Sequence, residues 1–290
     1  MANRWQRLPP QAYFVVGAVF HYLGPAFAVL LFARVEVLGV AWLRIASAAV
    51  VFAVWRRPWR SWKHLDVNGR RLIIAWGLVL ALMNVCFYLA LQRMALGTVA
   101  AVEFLPVVAL AAAAARTRRN ALALVLATGG VYLVTGVHAD GEAFGLIFAV
   151  GNALLFATYI VLGHRIARID RIPRIDGLAL SMLVATVVAL PIGGWAAAPV
   201  FLDPLGLLAA LGVGVSSSVI PYVADQLAMA RLPRATYALL VSLLPATATV
   251  IGVVVLIQIP TAPEIVGVLL VIAGVAAHRP PTARAERGVA

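Results

Sequence analysis

From residue 12 to residue 278 the chain is a succession of long apolar runs with short polar stretches between them. The runs cover about 12–33, 38–55, 71–91, 95–116, 120–137, 143–165, 176–196, 205–228, 234–256 and 263–278. A helix needs roughly 20 apolar residues to cross a bilayer's hydrocarbon core. Lipid offers no hydrogen bonds, so each run must satisfy its own backbone, which helices do. A transmembrane barrel would show short alternating strands instead of long uniform runs. The whole composition agrees: 63% of residues are hydrophobic and 12% charged, against about half and a quarter in soluble domains. The expected fold class is an all-α integral membrane protein with ten transmembrane helices.

Basic residues fix an expected direction. With the N-terminus in the cytoplasm, twenty of the 23 Lys and Arg residues fall in cytoplasmic segments, Arg34 and Arg93 fall outside, and Arg44 lies within the second span. That asymmetry follows the positive-inside rule and places both termini in the cytoplasm. It also explains a net charge of +12 without nucleic acid, because no folded basic domain gathers the arginines. The N-terminal run is read as a retained helix, since further spans follow it where a cleaved signal would precede a soluble chain. Cys86 is the single cysteine, so no intrachain disulfide can form.

The two halves align at an offset of about 138 residues. "ALQRMALGTVAA" (90–101) overlays "AMARLPRATYAL" (228–239), and "GVAWLRIASAAVV" (39–51) overlays "GLALSMLVATVVA" (177–189). A repeat of five spans enters the membrane upside down in its second copy. The expected domains are therefore 1–138 and 139–278, two inverted five-helix repeats, with a cytoplasmic tail at 279–290. Inverted repeats recur in secondary transporters, which hold substrate near the midplane between the copies.

Ten spans as five plus five, Arg44 early in the second span, "LALQRMALGTVAAVEFLP" and "PYVADQLAMARLPRATYALLVSLLPATA" resemble the EamA-domain family of the drug/metabolite transporter superfamily. The nearest likeness is to its amino-acid exporters of the threonine/homoserine and aromatic types. The resemblance covers nearly the whole chain. It implies a multi-pass bacterial inner-membrane exporter with a central cavity lined by spans 1, 3, 4, 6, 8 and 9.

Polar residues inside the spans are the candidates for that cavity, since intramembrane charges face a cavity, pair, or relay protons. Glu103 has two readings: a site for a substrate ammonium or a coupling proton, or a structural pair with Arg44 at matching depth. Arg44 in turn either grips a substrate carboxylate or locks its helix by bonding carbonyls or Glu103. His21 and Tyr22 precede Pro25, whose ring removes a helix hydrogen bond. Asn84 and Tyr88 share a face with Phe87 and Leu91 at helical spacing. In "GVGVSSSVIPYVADQ" (212–226), Pro221 strands the carbonyl of Ser217. Tyr159, Tyr222, Tyr237 and Ser242 add aromatic or hydroxyl contacts. Asp225, near the cytoplasmic end, is expected to gate, and Arg44, Pro25 and Pro221 to shape the helices.

The sequence has no GxxxxGK[ST], CxxC, HExxH or GxSxG, so neither ATP coupling, a metal centre, a cofactor nor a catalytic elbow is expected. The chain is expected not to be an enzyme. The expected function is export of small neutral and aromatic amino acids with broad selectivity, by a monomer, with protons as a possible coupling ion. Nucleotide sugars, sugar phosphates or drugs are the alternative cargo. Phosphorylated cargo calls for several intramembrane bases, and Arg44 stands alone.

Overall fold

The computed structural model describes residues 9–106, 108–109, 117–136, 143–169, 172–229, 231–232 and 234–277. The tail 279–290 lies outside them. All regular structure among the described residues is helical. The helices are α1 (Pro10–Leu31), α2 (Val37–Arg56), α3 (Trp59–Trp62), α4 (Val67–Leu91), α5 (Leu96–Glu103), α6 (Arg118–Gly136), α7 (Ala143–Ile166), α8 (Arg174–Ala197), α9 (Pro204–Gly214), α10 (Ile220–Met229), α11 (Arg234–Val241), α12 (Leu244–Leu256) and α13 (Ala262–Ala277).

Among the described residues, six stretches are long and apolar enough to cross a bilayer: Gln11–Leu31, Val37–Arg56, Val67–Leu91, Ala143–Ile166, Arg174–Leu202 and Pro204–Asp225. Their outward sides are apolar as well, with Val54, Ile147, Trp195 and Leu202 largely exposed. Such a surface belongs in lipid, and the chain is a multi-pass membrane protein. Local chemistry sets the ends. Pro10 opens α1, where a missing N–H costs nothing. The Asp66 carboxylate caps α4 by accepting from the Gly69 N–H at 2.8 Å. Asp203 caps α9 by accepting from Leu205, with Pro204 at the first position.

Two expected spans are not continuous. The run 95–116 gives α5, which ends at Glu103 with a turn at Phe104. The run 234–256 gives α11 and α12, separated by a turn at Ser242–Leu243. Pro106 and Pro245 explain both breaks, because each removes a helix donor and crowds the turn before it. α5 and α11 are both eight residues long, and they start 138 positions apart. The breaks therefore fall at corresponding places in the two halves.

The helices pack as close pairs: α2 on α8, α6 on α13, α5 on α12, α4 on α7, and α1 on α10. Lipid tails are as apolar as leucine, so such pairs depend on close backbone approach at small residues. A Cβ on Gly39 would lie 2.7 Å from the carbonyl carbon of Ala196, and one on Gly130 2.5 Å from the carbonyl oxygen of Gly267. At one end of the α2–α8 pair, Arg56 Nε meets Asp176 Oδ1 at 2.8 Å, and Ser61 Oγ donates to Asp176 Oδ2 at 2.6 Å. Asp176 is buried, so a hydroxyl and a guanidinium compensate its charge.

Adjacent glycines on α6 make this packing testable. A Cβ on Gly129 meets nothing within 4 Å, whereas one on Gly130 meets backbone. Gly130→Ala should destabilise by about 1–3 kcal/mol through overpacking. Gly129→Ala should be neutral or gain up to about 1 kcal/mol of helix propensity. Thermal unfolding in detergent measures both.

Candidate functional site

The site is built around a stranded carbonyl. Between α9 and α10 the helix widens into a π segment, Val215–Val219, and the Ile220 N–H reaches back five residues to the Val215 carbonyl. Pro221 follows and cannot donate to Ser217 one turn earlier. Arg44 on α2 takes that role: its Nη2 donates to the Ser217 carbonyl at 3.1 Å and its Nε to Ser218 Oγ at 3.3 Å. The guanidinium also lies 5.8 Å from the Phe87 ring and 5.6 Å from the Tyr88 ring of α4. A buried cation thus finds two oxygens and two aromatic faces. No ion pair within 4.0 Å joins it to Glu103 among the described residues. Of the readings open for Arg44, the structure places it on a carbonyl.

Glu103 meets a different partner. At the last residue of α5, its Oε1 accepts from Asn152 Nδ2 of α7 at 3.1 Å, and both side chains are buried. The His21 and Tyr22 rings meet edge to face at 5.1 Å. Gly24 lets α1 press against the π segment: a Cβ there would lie 2.6 Å from the Ser217 nitrogen.

Four buried polar atoms in this region have no hydrogen-bond partner: Tyr22 OH, Tyr88 OH, Ser217 Oγ and Asn152 Oδ1. They come from α1, α4, the π segment and α7. A buried polar atom left unpaired costs about 1–3 kcal/mol, so these four are the centre's unspent hydrogen-bonding capacity.

The remaining candidates lie around this centre. Tyr159 stacks on Trp76 at 5.1 Å, and it and Tyr222 of α10 pack against the same apolar cluster. Asp225, on α10, faces α1, with its Oδ1 3.0 Å from where a Gly17 Cβ would sit. Tyr237, on α11, packs edge to face on Phe14 at 5.7 Å. Ser242 is buried at the α11–α12 break. Asn84 turns inward on its own helix, donating to the Leu80 carbonyl at 2.9 Å.

Residues 143–277 match the model of the EamA-like transporter family. Over 257 residues the chain is 31% identical to the threonine/homoserine exporter RhtA of Salmonella typhimurium, covering 86% of this chain and 84% of that protein. It is 30% identical over 238 residues to threonine/homoserine exporter RhtA of Escherichia coli K12, covering 80% and 78%. The chain belongs to the EamA-like transporter family. A solved crystal structure that is 18% identical superposes with a TM-score of 0.57 over 92% of this chain and 96% of that one, so the two share a fold.

Two features of this EamA-like chain escaped the sequence reading. Asn152 was visible as the one amide in "AFGLIFAVGNALLFATYIVLG". The twin helix breaks were visible as Leu-Pro at 105–106 and again at 244–245. The interruptions fall beside Glu103 and Ser242.

The Arg44–Ser217 bond predicts a coupling. Arg44→Met should cost about 1–3 kcal/mol by orphaning the carbonyl. In a Pro221→Ala background, where residue 221 regains its N–H, the same change should cost at least about 0.5 kcal/mol less. A double-mutant cycle on thermal unfolding measures the difference.

Proposed function

We propose that this chain is a secondary transporter exporting small amino acids, threonine and homoserine foremost, by alternating access around the Glu103–Ser217 centre. The observation that carries the proposal is the meeting of four unpaired buried polar atoms with an acid and a base that do not neutralise each other. A zwitterion fits such a place: its ammonium turns to Glu103, and its carboxylate to the hydroxyls of Tyr22, Tyr88 and Ser217. The likeness to threonine/homoserine exporters over more than four fifths of the chain supports the same cargo. Around the centre the walls are Ala, Val, Leu and Phe, which supports broad selectivity among neutral side chains. Phosphorylated cargo fits less well, because the Arg44 fork is already engaged on the π segment.

The proposed frame is two inverted repeats, 1–138 and 139–278, with both termini cytoplasmic. Helix pairing supports it. Exchanging the halves returns α2–α8 and α6–α13 to themselves and swaps α4–α7 with α1–α10. Two arginines follow the same exchange. Arg93, after α4, lies 5.7 Å from the Phe148 ring of α7, and Arg231, after α10, lies 5.0 Å from the Tyr13 ring of α1. These cation–π contacts are well placed to latch the outer and cytoplasmic faces in turn.

In proteoliposomes, labelled threonine, homoserine, methionine and tryptophan should each show counterflow; absence of counterflow for every one of them in folded protein would end the proposal. The same assay with and without a pH gradient reads the coupling. Glu103→Gln should lose at least about tenfold in export. Its stability should move by less than about 1 kcal/mol, because glutamine still accepts from Asn152.

The latches give opposite signs. Tyr13→Leu should expose the centre to the cytoplasmic face and Phe148→Leu to the outer face. Each loosens a contact of about 0.5–2 kcal/mol, so labelling of a cysteine at position 217, in a Cys86→Ala background, should rise from one face and fall from the other.

A further inference from the structure

Asn152 has its two amide ends in different surroundings. Its Nδ2 donates to Glu103 Oε1 at 3.1 Å. An ionised carboxylate only accepts, so the nitrogen must face Glu103 and Oδ1 must point elsewhere. That oxygen is buried without a partner, on a side chain with 0% exposure. An amide whose only role was to solvate Glu103 would leave a costly orphan behind.

Building on the amino-acid export proposed above, we propose that Asn152 Oδ1 accepts the ammonium of the substrate, and that Glu103 orients the amide and supplies the opposing charge. The division of labour follows from chemistry. Glu103 alone would attract any cation, whereas a fixed neutral acceptor reads the position of a donor. An ammonium carries three donors and can meet Glu103, Asn152 Oδ1 and a hydroxyl at once. An α-hydroxy acid carries one donor at that carbon and leaves the amide oxygen unpaired. A buried acceptor built for a donor rejects ligands that lack it. Asn152 is thereby the residue that separates amino acids from hydroxy acids. It sits one helix away from Arg44, whose own donors are committed to Ser217 and Ser218.

The test is threonine counterflow in proteoliposomes, with the hydroxy acid of the same skeleton, 2,3-dihydroxybutyrate, as competitor. Asn152→Leu keeps the size of the side chain and removes the acceptor. Asn152→Asp keeps acceptors, and with Glu103 it shares one proton, as close carboxylate pairs do. We expect Asn152→Leu to raise the KM for threonine about tenfold or more, with the effect in KM rather than in the maximal rate. The hydroxy acid should then compete as well as threonine does. Asn152→Asp should retain the preference for threonine. A folded Asn152→Leu protein with a threonine KM within about twofold of the natural protein overturns the proposal. So does an equal loss for threonine and the hydroxy acid, which marks a merely structural residue. If Asn152→Leu does not fold, Asn152→Asp decides alone: loss of the threonine preference overturns the proposal. Absence of threonine counterflow in the natural protein brings down amino-acid export itself, a different failure.

Discussion

A proline in a transmembrane helix leaves a carbonyl with no donor, and lipid cannot provide one. At Pro221 the chain answers with a guanidinium from another helix. Arg44 reaches across from α2 to the Ser217 carbonyl, and much of the centre follows from that reach. The charge must be solvated where it lies, so Phe87 and Tyr88 offer their ring faces. α2 must come close to the widened helix, and a Cβ on Gly214 would stand 2.9 Å from the Arg44 carbonyl oxygen. α1 comes as close from its own side through Gly24. The π segment is thus held by α2 and α1 together, which keeps its serines facing inward and buried.

Regular helices could not present these groups, because an α-helix spends each carbonyl on its own backbone. The breaks at Phe104 and at Ser242–Leu243 serve the same end in α5 and α11. Each leaves a turn of backbone at depth, a feature tolerated only where protein or a cavity covers it. The remaining helices provide the cover. α6 and α13 approach through glycines, and α2 and α8 through Gly39 and Gly193, so these pairs bury backbone against backbone with little side-chain volume.

Much of this was legible in the sequence, and the limits were geometric. Apolar runs record position along the membrane normal, so the helical class and the long spans were readable. Depth says nothing of rotation about the helix axis, where one residue turns the side chain by about 100°. The sequence put Arg44 and Glu103 at one expected depth, yet Arg44 faces the π segment while Glu103 faces Asn152. The run 234–256 read as one helix because its composition is uniform; only Pro245 announced the break. Asn152 was overlooked because a single amide among alanines and leucines changes no average, although at depth one amide outweighs its neighbours in energy.

The separation of Arg44 from Glu103 carries the functional meaning. Two buried charges that met would cancel and leave a site with little field, a structural clip indifferent to cargo. Here each is solvated by neutral dipoles: Arg44 by a carbonyl, a hydroxyl and two rings, Glu103 by an amide. Neither is neutralised by the other, and unpaired hydroxyls and an amide oxygen lie among the same helices. An amino acid, neutral overall but strongly dipolar, aligns with two such charges without bringing net charge into the membrane. A singly charged metabolite would have to bring its own counterion, and a phosphorylated one would meet an arginine already occupied. Under the proposed amino-acid export, fixed and opposed dipoles in an apolar wall would select the zwitterionic head and tolerate the side chain.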